Sequence, residues 1–328
     1  MSTLTSSSLS GAISEYYERK LLVQPEFRND LLKFGLKAQI PKGNSNTIHW
    51  TRVDRFGRPQ TVTDGTDLTT SRTPTIATVQ GRLALFGDFV SITPYGDEIR
   101  IFSMIDKSYD EFMVQVGREG NYRLQSTMVA GDSTTGNSFP AATLRYAGGA
   151  ATFAGLESGG NFVLTAKDIE KNVFLLRKNQ PKGKITVVTN AWGLESLMLD
   201  DKFRTLISQQ GLDILVEGKI LKWGGSGIGY NDDPWREDLA SEGGAAGTYS
   251  STGKVFTTWI FSEEAFGTVQ LMGRGGLRPR FKTQDVSVIG NEVTIGYFIP
   301  YQGGVLNANW VIALRHVSES DVSIASFV

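Results

Sequence analysis

The most constraining stretch of this sequence is a polar tract from Arg55 to Thr75, rich in Thr, Asp, Gly and Arg and almost empty of core-forming residues. Strand-like runs flank it. Before it, Thr47-Ile48-His49-Trp50-Thr51-Arg52-Val53 alternates as a strand does; after it comes Ile76 to Ile92, with Ile76, Thr78, Gln80 and Arg82 on one parity and Ala77, Val79, Gly81 and Leu83 on the other. A strand, a long polar tip and a returning strand predict an extended hairpin. Such a tip has too little apolar surface to offset the entropy of folding onto its own core. It therefore lies in solvent or on another chain, and a loop of this length is usually kept for a use. Arginines concentrate here, with aspartates between them. Because the guanidinium fork suits carboxylates, Arg52, Arg55, Arg58, Asp64, Asp67, Arg72 and Arg82 are the candidates for ion pairs between subunits.

The remaining pattern is mixed. Ser14 to Gly35 carries apolar anchors at helical spacing (Tyr16, Leu21, Phe27, Leu31, Phe34) around Pro25, which predicts a short broken helix in an arm rather than in the core. A long helix is expected from Asp97-Glu98 to Gly131, about 45 Å at the usual rise. Its apolar face is Phe102, Ile105, Tyr109, Phe112 and Val116, extended by Met113, Leu124 and Met128. Ala141 to Gly160 reads as a Gly/Ala-rich loop. Thr165 and Asp168 are spaced as a capping box opening a helix to Lys178. Strand Gly183 to Thr189 follows, then a helix from Ala191 to Ser208 with Leu194, Leu197, Met198 and Leu206 as its stripe. A second Gly-rich loop spans Glu242 to Gly253. Strands are expected at Thr258 to Phe261, Val286 to Ile289, Glu292 to Ile299 and Trp310 to Leu314. The fold class is α+β, and no internal repeat is found.

Few residues carry chemistry. The chain has 328 residues, 33 Lys and Arg against 34 Asp and Glu, two histidines and no cysteine. A net charge of -1 provides no long-range field for nucleic acid, which disfavours a sequence-specific DNA binder. Without cysteine there are no disulfides, thiolate metal sites or cysteine nucleophiles, which suits a reducing cytosol. Met1 to Gly11 is Ser/Thr-rich with no basic residue before an apolar run, unlike a signal peptide, and no apolar run reaches the ~18–20 residues of a membrane span. His49 and His316 sit in strand patterns without a ligand or catalytic partner at useful spacing. Gly224 to Gly229 lacks the dinucleotide fingerprint, no Walker-type loop exists, and this run and Gly273 to Gly276 read as turns. Asp200-Asp201 and Asp232-Asp233 lack the spaced oxygen ligands of a calcium loop. The residues therefore predict no catalytic, cofactor or metal site.

Several segments resemble the major capsid proteins of tailed bacteriophages, which have the HK-97-type fold, and in particular a branch common among podophages. They are Tyr16 to Leu22, Phe34-Gly35 leading to Ile40-Pro41-Lys42-Gly43, Phe86 to Thr93, Val187-Val188-Thr189-Asn190, Leu199 to Arg204, and Glu263-Glu264-Ala265-Phe266-Gly267. The similarity runs over nearly the whole chain. It implies an N-terminal arm (residues 1–46) and an E-loop hairpin (47–92). A peripheral domain with a long spine helix (93–164), an axial domain (165–255) and a β-rich return to the peripheral domain (256–328) follow. It further implies hexamers and pentamers of this chain in an icosahedral shell around double-stranded DNA, built in the host cytoplasm. Its partners would be further copies, with scaffolding, portal and decoration proteins, DNA held only non-specifically, and no membrane. The tip departs from the family pattern: Thr63-Asp64-Gly65 and Asp67-Leu68-Thr69 stand where a Leu-Thr-Glu-Gly-like tip is expected, so tip contacts do not carry over. An encapsulin-type compartment shares this fold, and a virion decoration or tail protein, or a virion enzyme with paired carboxylates, is the other alternative.

Overall fold

The computed structural model describes residues 30–41, 46–53, 73–93, 104–134, 136–156, 162–203, 222–223, 226–240, 243–271, 280–285 and 293–318. Strands β1 (Leu36–Ile40), β2 (Thr47–Val53), β3 (Ile76–Arg82) and β4 (Ala84–Ile92) precede helix α1 (Met104–Ala130). Strand β5 (Thr143–Tyr146), helix α2 (Ala166–Lys178), strand β6 (Ile185–Thr189) and helix α3 (Ala191–Leu199) come next. The rest is β: β7 (Lys222–Trp223), β8 (Ser226–Tyr230), β9 (Arg236–Glu237), β10 (Val255–Ser262), β11 (Phe266–Leu271), β12 (Arg280–Asp285), β13 (Val293–Val305) and β14 (Val311–Val317).

Two sheets organise these elements. A seven-stranded sheet runs β5-β14-β10-β6-β8-β7, with β9 also on β10. Strands β10 and β14 are buried at every position. Both of their faces are covered, so their polar members, among them Thr258, Arg315 and His316, are buried with the apolar ones. A five-stranded sheet runs β1-β11-β13-β12, with β4 alongside β13. Here β13 alternates: Ile295, Tyr297, Ile299 and Tyr301 point to one face, where Phe112 and Val116 of α1 cover them. Burial pushes the Tyr301 phenol well above its ordinary value.

Helix α1 serves both sheets. Its buried residues Phe112, Val116, Gly120, Leu124 and Met128 recur every four positions. A four-residue repeat overshoots the 3.6-residue turn by about 40° per step, so the stripe winds about 160° around the helix. Its first half meets β13, and Leu124 and Met128 reach the core around Trp259, Phe261 and Val311. Two buried amides fix that second half. Gln125 accepts from Trp235 N (2.9 Å) and Trp259 Nε1 (3.1 Å) and donates to the Asp233 carbonyl (2.9 Å); Asn121 Nδ2 donates to the same carbonyl (2.9 Å). Gly131, at φ 72°, ends the helix as expected. Met113 does not extend the apolar face: it is 48% exposed, since the winding stripe leaves its side in solvent. Asp97, Glu98 and Phe102 lie outside the described residues.

Other expectations divide. The capping box holds: Thr165 Oγ1 accepts from Asp168 N (3.2 Å) and donates to Asp168 Oδ2 (2.7 Å), and α2 ends at Lys178. The segment read as an arm ends inside the core. Leu31 is fully buried, and Asp30, in a short 3-10 turn (Asp30–Lys33), accepts from Tyr230 N at 3.0 Å. Within the loop read over 141–160, β5 pairs in parallel with β14. Helix α3 stops early, as Asp200 takes an extended conformation and caps its neighbours, accepting from Ala166 N and Lys202 N; Leu206 lies outside the described residues. Ser226–Tyr230 is not a turn but a strand parallel to β6, and Gly229 lets it lie close to Phe34 and Asp30. Val286 to Ile289 and Gly273 to Gly276 lie outside the described residues. No helix among the described residues is long and apolar enough to cross a membrane.

Candidate assembly surface

The predicted hairpin strands are present and pair in register from Thr47↔Arg82 to Val53↔Ile76. The returning run does not stay with its partner. It breaks at Leu83, whose N–H bonds the Asn46 carbonyl (2.9 Å), and its second half, β4, pairs with β13 instead. The base of β2–β3 is clasped by the turn after α1. Gln80 N and Arg82 N donate to Ser138 Oγ and Asn137 Oδ1, each at 2.7 Å, and the Trp50 and Phe139 rings lie 5.8 Å apart. Asp132 braces that turn, accepting from Asn137 Nδ2 (2.8 Å) and from Gln302 Nε2 of β13 (2.9 Å). The direction of the hairpin is therefore set by the body. At its far end Val53 and Ile76 face each other, 56% and 59% exposed.

Of the candidate ion-pairing residues, Arg52 and Arg82 are described. Arg82 is at the clasped base opposite Thr47, and Arg52 is near the far end opposite Ala77. Five residues of strand, about 17 Å, separate them, so they form no single cluster. Arg55, Arg58, Asp64, Asp67 and Arg72 lie outside the described residues. His49 is exposed on β2. His316 is fully buried, its Nε2 3.0 Å from Thr258 Oγ1, and desolvation pushes its pKa down to about 4 against a smaller opposing backbone hydrogen bond at Val317. The Asp233 carboxylate is engaged by Arg118 (3.4 Å). Among the described residues no three potential metal ligands come together.

A second surface escaped the sequence reading. On the face of β4 and β13 turned away from α1, Leu85 and Phe89 are 71% and 70% exposed, and Phe298 is 39% exposed. The register sets Leu85 opposite Pro300, Gly87 opposite Phe298 and Phe89 opposite Gly296, which puts these side chains on one face. On the other face, Phe86 packs edge-on to Tyr301 and lies under the Arg123 guanidinium, while Asp88 accepts from Gln115. The clue was available: apart from Asp88, Leu85-Phe86-Gly87-Asp88-Phe89-Val90 places apolar residues on both parities, Leu85 and Phe89 on one and Phe86 and Val90 on the other, as a strand with both faces covered does. A contiguous apolar patch on the outside of a subunit marks a contact surface.

No family model and no curated protein sequence matches the chain. Its fold does match solved structures along its length. The capsid of cyanophage P-SCSP1u aligns over 95% of each chain at a TM-score of 0.66 and 16% identity. The capsid of Ralstonia phage GP4 aligns over 93% of this chain and 95% of its own, at 0.65 and 14%. The head of Helicobacter pylori bacteriophage KHP40 covers 93% and 96%, at 0.68 and 9%. At such identities the likeness establishes the fold, and the fold of this chain is the α+β, HK-97-type fold of phage capsid subunits.

Proposed function

We propose that this chain is the major capsid protein of a tailed phage. It builds hexamers and pentamers of an icosahedral shell around double-stranded DNA, and it resides in the virion. The observation that carries the reading is the end-to-end structural match to phage capsids, which leaves little of either chain unmatched. In that assembly the principal partner is another copy; scaffolding, portal and decoration proteins follow by analogy, and the chain performs no catalysis. Residues 1–46 act as the arm, apart from Leu31 and β1, which join the body, and 47–92 as the E-loop, apart from β4, which pairs with β13; 93–164 act as the peripheral domain, 165–255 as the axial domain and 256–328 as the β-rich return.

The physical basis is a heterologous contact that repeats until curvature closes the shell. The hairpin, exposing Val53 and Ile76, lies over the Leu85, Phe89 and Phe298 face of the adjacent copy, and Arg52, Arg55, Arg58, Asp64, Asp67, Arg72 and Arg82 contribute ion pairs along it. Each contact is modest, but every subunit makes several, so the shell gains stability by multivalency. A near-neutral chain also suits a wall from which packaged DNA must leave.

Deleting residues 58–73 tests this reading, because the segment contains little that could enter a core. Circular dichroism should show a folded subunit, and sedimentation should show that it no longer forms particles under conditions where the intact chain does. Unfolding of the deleted subunit, or particles of normal size, would contradict it.

A further inference from the structure

A groove of about 690 Å³ runs between α2 and β5, and none of the residues lining it belongs to the β2–β3 hairpin or to the β4–β13 face. Arg145 from β5 and Lys171 and Lys178 from α2 line it, and all three are exposed. None of them is ion-paired among the described residues. Among the described residues the one lining carboxylate, Asp168, is held by neutral donors, its Oδ2 accepting from Thr165 Oγ1 (2.7 Å) and Gly148 N (3.2 Å), so the lining carries three cations against one anion. The groove thus presents an excess of positive charge. Its wall is also apolar, with Phe174 58% exposed beside the half-buried Leu175. On the opposite wall, β5 is the edge strand of the seven-stranded sheet, and an edge strand offers backbone groups to an extended chain.

Polyanions of two classes could answer the charge, and the remaining features separate them. Duplex DNA keeps its bases stacked inside, so it has no use for an exposed phenylalanine. An extended peptide uses everything present: carboxylates for the lysines and arginine, an apolar side chain against Phe174 and Leu175, and main chain along β5. We propose that the groove between α2 and β5 is a docking site for an extended acidic segment of a partner protein, one with carboxylates alternating with apolar side chains.

Fluorescence anisotropy on the full chain, with a fluorescein-labelled peptide of alternating Glu and Leu, tests this. Binding is expected, and it should weaken as salt rises. The exposed double variant K171E/K178E should lower affinity by roughly tenfold or more while retaining native circular dichroism. Phe174→Ser should lower affinity and leave the salt dependence unchanged. A control peptide of alternating Lys and Leu should not bind. Failure of the Glu-Leu peptide to bind, equal binding of the Lys-Leu peptide, or binding of a short DNA duplex that K171E/K178E abolishes while peptide binding survives would each overturn the proposal. So would a K171E/K178E chain that binds peptide normally but no longer assembles, since the groove would then lie between copies.

Discussion

Glu237 and Arg315 meet 2.6 Å apart with no exposed side-chain surface, and Trp235 Nε1 donates to the same carboxylate oxygen at 2.8 Å. The guanidinium also lies over Phe153 at 5.5 Å. A buried pair of this kind adds little net stability, but stranding one member is costly. Glu237→Ala is expected to lower subunit stability by about 3–5 kcal/mol, read as a fall in the urea midpoint, and E237A/R315M should recover much of it. His316 supplies a pH dependence. Its native pKa of about 4 lies below the ordinary 6.5, so the unfolded chain takes up a proton first as pH falls. Its contribution is complete above pH 6.5 and is lost toward pH 4, a span of about 3 kcal/mol. His316→Gln should flatten the stability profile of the subunit in that window; an unchanged slope would show that another group is responsible. Sequence places His316 and Glu237 in unremarkable surroundings, because their partners are brought to them by sheet pairing across dozens of residues.

Local signals were legible at the scale of elements, and choices between partners were not. The Thr165 cap and the Gly131 stop follow from chemistry within a few residues, and the alternation of β2 and β3 from their own parities. The break at Leu83 does not, since β4 leaves β3 only because β13 offers it a nine-residue ladder. Strand β1 was missed for a related reason: five residues carry little pattern, and its order comes from pairing in parallel with β11. Gly35 makes that junction possible, with φ 83° and a Cβ position that would fall 2.5 Å from the Phe266 ring. Gly35→Ala should therefore cost more than the usual ~1 kcal/mol of a left-handed alanine and lower the thermal midpoint of the subunit. A neutral result would mean that the turn into β1 can relax.

For the whole molecule, the outline was legible because the order of hairpin, long helix, α+β body and terminal strands is itself specific. The contact surface was less so. Five of the seven charged candidates fall outside the described residues, and the apolar face around Phe89 became visible only once the register assigned sides to β4 and β13. Both surfaces fit a subunit that leaves apolar area for its neighbours to cover. Electron microscopy of the purified full-length chain tests that most directly. Closed icosahedral particles with hexameric and pentameric clusters of this subunit are expected. Monodisperse monomers at high concentration, or open rings and fibres, would contradict it.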